Sequence, residues 1–194
     1  MGLVEGSSIT LKTRISPAAF LKLCARNPEL RMERSARGEL EIMSPASSGT
    51  GGRNFKLTTR LGMWVEGTGL EKAFDSSAGF TLPNGAVRSP DASWIALERW
   101  ELLTADQKEE GFAPICPDFV VELRSKHDSL RKLKIKMREY ISQGARLGWL
   151  IDPKSKCVTI YRLDRVEETL ISPTTLSGED VLPGFVLDLK GILI

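Results

Sequence analysis

Apolar residues return along this chain at two periods, near two and near 3.6, and their succession predicts strands covered by helices. Ser16-Pro17 reads as the cap and first residue of a helix that runs to about Asn27, before Pro28. Residues 30–34 and 39–43 flank a short turn at 35–38, the pattern of a hairpin. The small residues at 47–52, SSGTGG, read as a flexible loop, and Leu57, Leu61 and Trp64 then share one face of a helix over 54–65. Residues 70–74, 79–82 and 91–97 read as strands, the last two joined through Pro83-Asn84-Gly85. Residues 100–110 are polar and read as a short helix and loop. A strand at 119–123 precedes a helix that starts at Asp128 or Ser129 and reaches about Gln143, with Gly144 placed as its left-handed terminator. Strands at 147–151 and 158–161 follow, turned by Asp152-Pro153-Lys154, and residues 186–194 form a last apolar piece. The strand–helix–strand unit over 119–151 makes the expected fold α/β, a mixed β-sheet flanked by helices. A single domain is expected over 1–194, with its core at about 16–190.

One strand breaks its own pattern. Residues 117–125 read PDFVVELRS, so a buried apolar run ends on a carboxylate and a guanidinium. Side chains alternate along a strand, which places Val120, Glu122 and Arg124 on one face, near the end where α/β sheets hold ligands. An ion pair at a strand end is the competing reading. A second acid comes from residues 88–95, RSPDASWI, where the proline puts Asp91 at the start of a strand. An antiparallel neighbour would set that start beside the end of the Glu122 strand. Asp91 and Glu122 could then hold one divalent cation through hard oxygens, with the backbone carbonyl of Leu123 as a third ligand. Asp118 also follows a proline, but it precedes the apolar stretch and reads as a turn residue.

Charge and composition sharpen this picture locally rather than globally. A net charge of +2 on 194 residues is too mild to argue for a nucleic acid by itself. Between Arg124 and Arg138, however, seven basic side chains stand against one acid, and such a face beside a carboxylate pair would attract a phosphate backbone. Leu130, Leu133, Met137 and Tyr140 or Ile141 form the apolar stripe of that helix. Lys134 and Lys136 lie on its two edges, and periodicity does not decide which amine reaches inward. Cys24, Cys116 and Cys157 are scattered, against a disulfide framework or a thiolate zinc site. The first 14 residues lack the apolar core of a signal peptide, and no run approaches the ~18 residues of a membrane span, so a cytoplasmic setting is expected. His127 reads as a surface or capping residue rather than part of a triad. Trp94 and Trp149 read as core.

Several of these pieces together resemble a known family: Ser89-Pro90-Asp91, the PDFVVELRS strand, Lys136-Met137-Arg138-Glu139-Tyr140, Gly144, and Gly148-Trp149-Leu150-Ile151-Asp152-Pro153. The chain is similar in these to the Uma2 family, a domain of restriction-endonuclease type assigned to the PD-(D/E)xK nuclease superfamily. The likeness extends from LEIMSP at 40–45 to VLPGF at 181–185. It implies that Asp91 and Glu122 are the motif acids and that a restriction-endonuclease-like fold carries them. The motif lysine should stand at position 124, where this chain has Arg124. The resemblance suggests that Lys136 supplies the amine from the helix instead. Arginine is not deprotonated in proteins, so Arg124 would make a poor base, though it could stabilise developing negative charge. Glu41 and Asn54 are further polar candidates.

The function expected from residues and resemblance together is a metal-dependent endonuclease hydrolysing phosphodiester bonds, with DNA as partner and Mg²⁺, or Mn²⁺ in its place, as cofactor. The catalytic set would be Asp91, Glu122, Lys136 and Arg124. A homodimer is implied by the likeness to enzymes that cut two strands. The competing reading keeps the nuclease fold as a catalytically inactive binding or scaffold protein, which Arg124 and the mild net charge leave open.

Overall fold

In the computed structural model, residues 8–68 and 71–193 are described. Strand β8 (Phe119–Leu123) is buried along its whole length and lies inside a six-stranded mixed sheet. Its neighbours are β7 (Ala92–Ala96), antiparallel, and β9 (Leu147–Asp152), parallel. Beyond β7 lies β4 (Glu71–Asp75), and beyond β9 lie β10 (Cys157–Arg162) and β11 (Glu168–Ile171). The parallel step from β8 to β9 needs a crossover, and helix α5 (Leu130–Ser142) supplies it. Ser129 caps α5 by accepting from Lys132 N, and Gly144 leaves it with a positive φ of 113°.

Alternation divides the sheet into two apolar faces. Trp94, Phe119, Val121 and Trp149 point to one side, against Leu57 and Leu61 of α2 (Ser48–Thr68) and a C-terminal segment with Leu182, Phe185 and Leu187. That segment carries the two-stranded sheet of β12 (Thr175–Ser177) and β13 (Val186–Asp188). Ile95, Val120 and Leu150 point to the other side, against Met137 and Tyr140 of α5. A Cβ at Gly148 would stand 2.5 Å from Met137 Cε, so the glycine lets α5 lie close on β9. Helices α3 (Leu97–Glu101) and α4 (Ala105–Glu109) connect β7 to β8 at the edge.

A second sheet has the order β1-β3-β2-β6-β5, built from β1 (Ser8–Arg14), β2 (Arg31–Arg34), β3 (Glu39–Met43), β5 (Phe80–Thr81) and β6 (Val87–Arg88). Met32, Leu40 and Val87 pack on Phe20 of α1 (Pro17–Arg26). The alternate positions, Glu33, Glu41 and Arg88, therefore face the other way, toward the cleft beside α5. The polar side of this sheet and the end of the six-stranded sheet form the walls of one recess.

Three expectations are corrected here. Residues 48–52 are helical rather than loop: the Ser47 hydroxyl accepts from Thr50 N at 3.3 Å, Gly51 N bonds back to the Ser47 carbonyl at 2.8 Å, and the buried stripe of Leu57 and Leu61 outweighs the glycine composition. The turn at 83–85 leads first to β6, a two-residue strand that lay unnoticed between the expected ones. Residues 8–14 form β1, which the sequence pattern did not suggest and which pairs with β3. Leu70, the first residue of one expected strand, lies outside the described residues.

Candidate metal and phosphodiester site

The antiparallel pairing of β7 with β8 carries Asp91 to Glu122. Ala92 is opposite Val121, and Asp91 N bonds the Val121 carbonyl at 3.0 Å. The Asp91 side chain then closes on the same strand: its Oδ2 accepts from Leu123 N at 2.8 Å, and its Oδ1 accepts from Asn54 Nδ2 of α2 at 3.3 Å. The Leu123 N–H thus points to the β7 edge. The carbonyl of an extended residue points the same way as its N–H, so the Leu123 oxygen faces Asp91 as well. All these groups line a cleft of about 460 Å³.

From α5, Lys136 reaches inward and Lys134 does not join it. Lys136 Nζ lies 2.8 Å from Glu122 Oε1 and 2.8 Å from Glu33 Oε1. The Tyr140 hydroxyl, one turn along the helix, donates to Glu122 Oε1 at 3.2 Å. Glu122 is only 4% exposed. Burial pushes its carboxyl up to about 7; Asp91 and Glu33 add to the rise, and Lys136 opposes it. Asp91 is also raised, by burial first, against the Leu123 N–H, Lys136 and Asn54. Burial works to lower Lys136, but Glu122 and Glu33 outweigh it and hold the amine above its ordinary value. Lys136 is therefore a fixed ammonium at neutral pH, unsuited to accept a proton.

The donor set suits a hard cation. Lys136 and Tyr140 both meet Glu122 at Oε1, and among the described residues the buried Asn54 Oδ1, beside Asp91, has no hydrogen-bond partner. Two carboxylates, a backbone carbonyl and an amide oxygen are the ligands that Mg²⁺ or Mn²⁺ takes, with waters completing the shell. Among the described residues no three His, Cys, Asp or Glu side chains form a closed metal-binding group.

With this geometry in place, comparison with known proteins decides the kinship. The Uma2 family profile, described as "Putative restriction endonuclease", matches residues 17–190. The chain belongs to the Uma2 family. Its fold is also that of a solved structure from Anabaena variabilis ATCC 29413, "a putative nuclease belonging to DUF820", with a TM-score of 0.70 at 22% identity over 89% of this chain and 96% of that one. No curated protein matches the chain. Family and fold are those of restriction-endonuclease-like nucleases.

Within this Uma2 chain the expected residues separate. Asp91, Glu122, Leu123, Lys136 and Asn54 converge on one cleft. Arg124 does not join them: its Nη1 sits 2.7 Å from Asp152 Oδ2 and its Nε donates to the Asp128 carbonyl at 3.2 Å. Asp152, the last residue of β9, takes the guanidinium. Asp118 is no plain turn residue. It is 2% exposed, accepts from Ala96 N at 3.0 Å and pairs with Arg99 at 2.7 Å. Glu41 lines the cleft with Arg88 at 3.9 Å, and the exposed His127 stands at its rim. Glu33, Arg88 and Tyr140 were missed as site residues. The signal for Glu33 was its place across from Glu41 in the β2–β3 hairpin, on the face away from Met32 and Leu40.

Proposed function

We propose that this protein is a divalent-metal-dependent endonuclease that hydrolyses phosphodiester bonds in DNA. The observation that carries the proposal is the convergence of Asp91, Glu122 and the Lys136 ammonium, from three elements, at the floor of one cleft. Asp91, Glu122 and the Leu123 carbonyl would hold Mg²⁺, or Mn²⁺ in its place. The bound ion would supply Lewis-acid polarisation of a phosphate oxygen and a more acidic water. The chain's own groups do the rest. Leu123 N and Asn54 Nδ2 fix the Asp91 carboxylate, and Tyr140 orients that of Glu122. Lys136 offers a permanent positive charge to the pentacoordinate phosphorus as negative charge builds on its oxygens. Arg124, held by Asp152, contributes to this charge only from outside the cleft and acts through the strand it stiffens. Two copies related by a two-fold axis would suit cleavage of both strands, and cytoplasmic action would suit a DNA substrate.

The competing reading is an inactive nuclease fold kept for binding. It is favoured by the ammonium that already bridges Glu33 and Glu122, since such a bridge stabilises both carboxylates without a metal. Nicking of supercoiled plasmid with Mg²⁺ or Mn²⁺ separates the two. Cleavage by the wild type that disappears in Asp91→Ala and in Glu122→Ala supports the enzyme. Cleavage that survives both substitutions removes the metal-site assignment, and no cleavage together with no divalent-ion binding leaves the scaffold.

A further inference from the structure

Glu33 is held at three points, yet it lies on the other sheet, 103 positions before its lysine partner. Its Oε1 accepts from Ser89 N at 3.0 Å and from Lys136 Nζ at 2.8 Å, and its Oε2 meets Arg88 Nη1 at 3.1 Å. Arg88 is itself fixed by Glu139 at 2.7 Å. One side chain, 1% exposed, thus grips both the ammonium and the backbone two residues before Asp91. We infer that Glu33 is a positioning residue: it draws the Lys136 ammonium away from full pairing with Glu122, so that the Glu122 carboxylate stays open to a cation. This inference rests on the metal-site reading above for its purpose, but not for its geometry. An ammonium has three donors and settles on whichever carboxylates surround it. With Glu33 replaced by a neutral amide, the ammonium would turn fully to Glu122, and a metal would have to displace it entirely. A purely structural ion pair between the two sheets would have no such effect on Glu122.

Two measurements on the full chain test the inference. In the metal-free protein with ¹⁵N-labelled lysine, Lys136 Nζ–H should give a slowly exchanging signal, assigned by its absence in Lys136→Met. Glu33→Gln should shift that signal strongly or lose it. Retention of an unchanged signal overturns the inference. Calorimetric Mn²⁺ binding then compares Glu33→Gln with Lys136 present and in the Lys136→Met background. The expected loss is about tenfold with the lysine and clearly less without it, the non-additivity that marks action through a shared partner. Equal losses in the two backgrounds overturn it. If the wild type binds no Mn²⁺, the metal reading fails, and the ammonium signal still decides whether Glu33 holds Lys136. Should Glu33→Gln not fold, Glu33→Gln with Arg88→Gln removes the guanidinium left without its acid and carries the same two measurements.

Discussion

Two Pro-Asp pairs introduce two neighbouring strands of the six-stranded sheet, and the acids they deliver lead opposite lives. Asp118, just before β8, is buried beside one guanidinium and one backbone N–H, so its charge is matched locally. Asp91, just before β7, lines one cleft with Glu122 and Glu33, and the Lys136 ammonium bridges the latter two. Burial alone therefore does not mark a functional acid in this protein. On the proposed reading a cluster of buried carboxylates does, because it offers oxygens to one cation.

The comparison can be broken by substitution at either end. Asp91→Ala or Glu122→Ala should cut metal-supported plasmid nicking by roughly a thousandfold while leaving the melting temperature nearly unchanged or raised, the loss expected when charge stabilisation at the reacting centre goes. A nicking rate within a few fold of wild type would end the distinction. Asp118→Ala should do the reverse. It strands Arg99 and the Ala96 N–H and should cost about 3 kcal/mol of stability in urea titration, with cleavage per folded molecule unchanged.

Acidity sharpens it further. A carboxyl whose native pKa lies above its unfolded value gives the native state extra protons between the two values. Its stabilising protonation is complete below about 4.5 and is lost as pH rises through about 7. Asp91 is shifted in the same direction, while Glu33 is lowered and matters only below the ordinary carboxylate range. In EDTA the free energy of unfolding should therefore fall between pH 5 and 8, by an amount on the order of 3 kcal/mol at most. Glu122→Gln should flatten that slope, and Mn²⁺ should reverse it. A flat wild-type profile would show that the acids are already balanced. The smallest effect is expected next door: Arg124→Lys keeps the charge but loses the fork on Asp152 and the Asp128 carbonyl, costing about 1 kcal/mol with little change in cleavage.

Much of this was legible before any coordinates. β8, α5 and the β9–β10 hairpin announce themselves by period and by their caps. The meeting of Asp91 with Glu122 follows once β7 and β8 are antiparallel neighbours. What stayed hidden depends on contacts between distant segments. Arg31-Met32-Glu33-Arg34 looks like a solvated hairpin arm, and only the docking of its sheet beside α5 makes Glu33 a buried partner of Lys136. Asp152 announced a turn, and it does accept from Lys154 N at 3.0 Å, but its second oxygen takes Arg124. The start of α2 was masked by five small residues that a serine cap and two leucines at a distance organise into helix.

The 103-position gap between Glu33 and Lys136 also sets when the cleft can come into being. During synthesis the hairpin that carries Glu33 emerges long before α5, and until that helix leaves the ribosome the acids have no ammonium among them. Every truncated product that stops short of residue 136 would therefore lack the assembled cleft. A cell translating this chain would release no fragment that ends before Lys136 with the means to act.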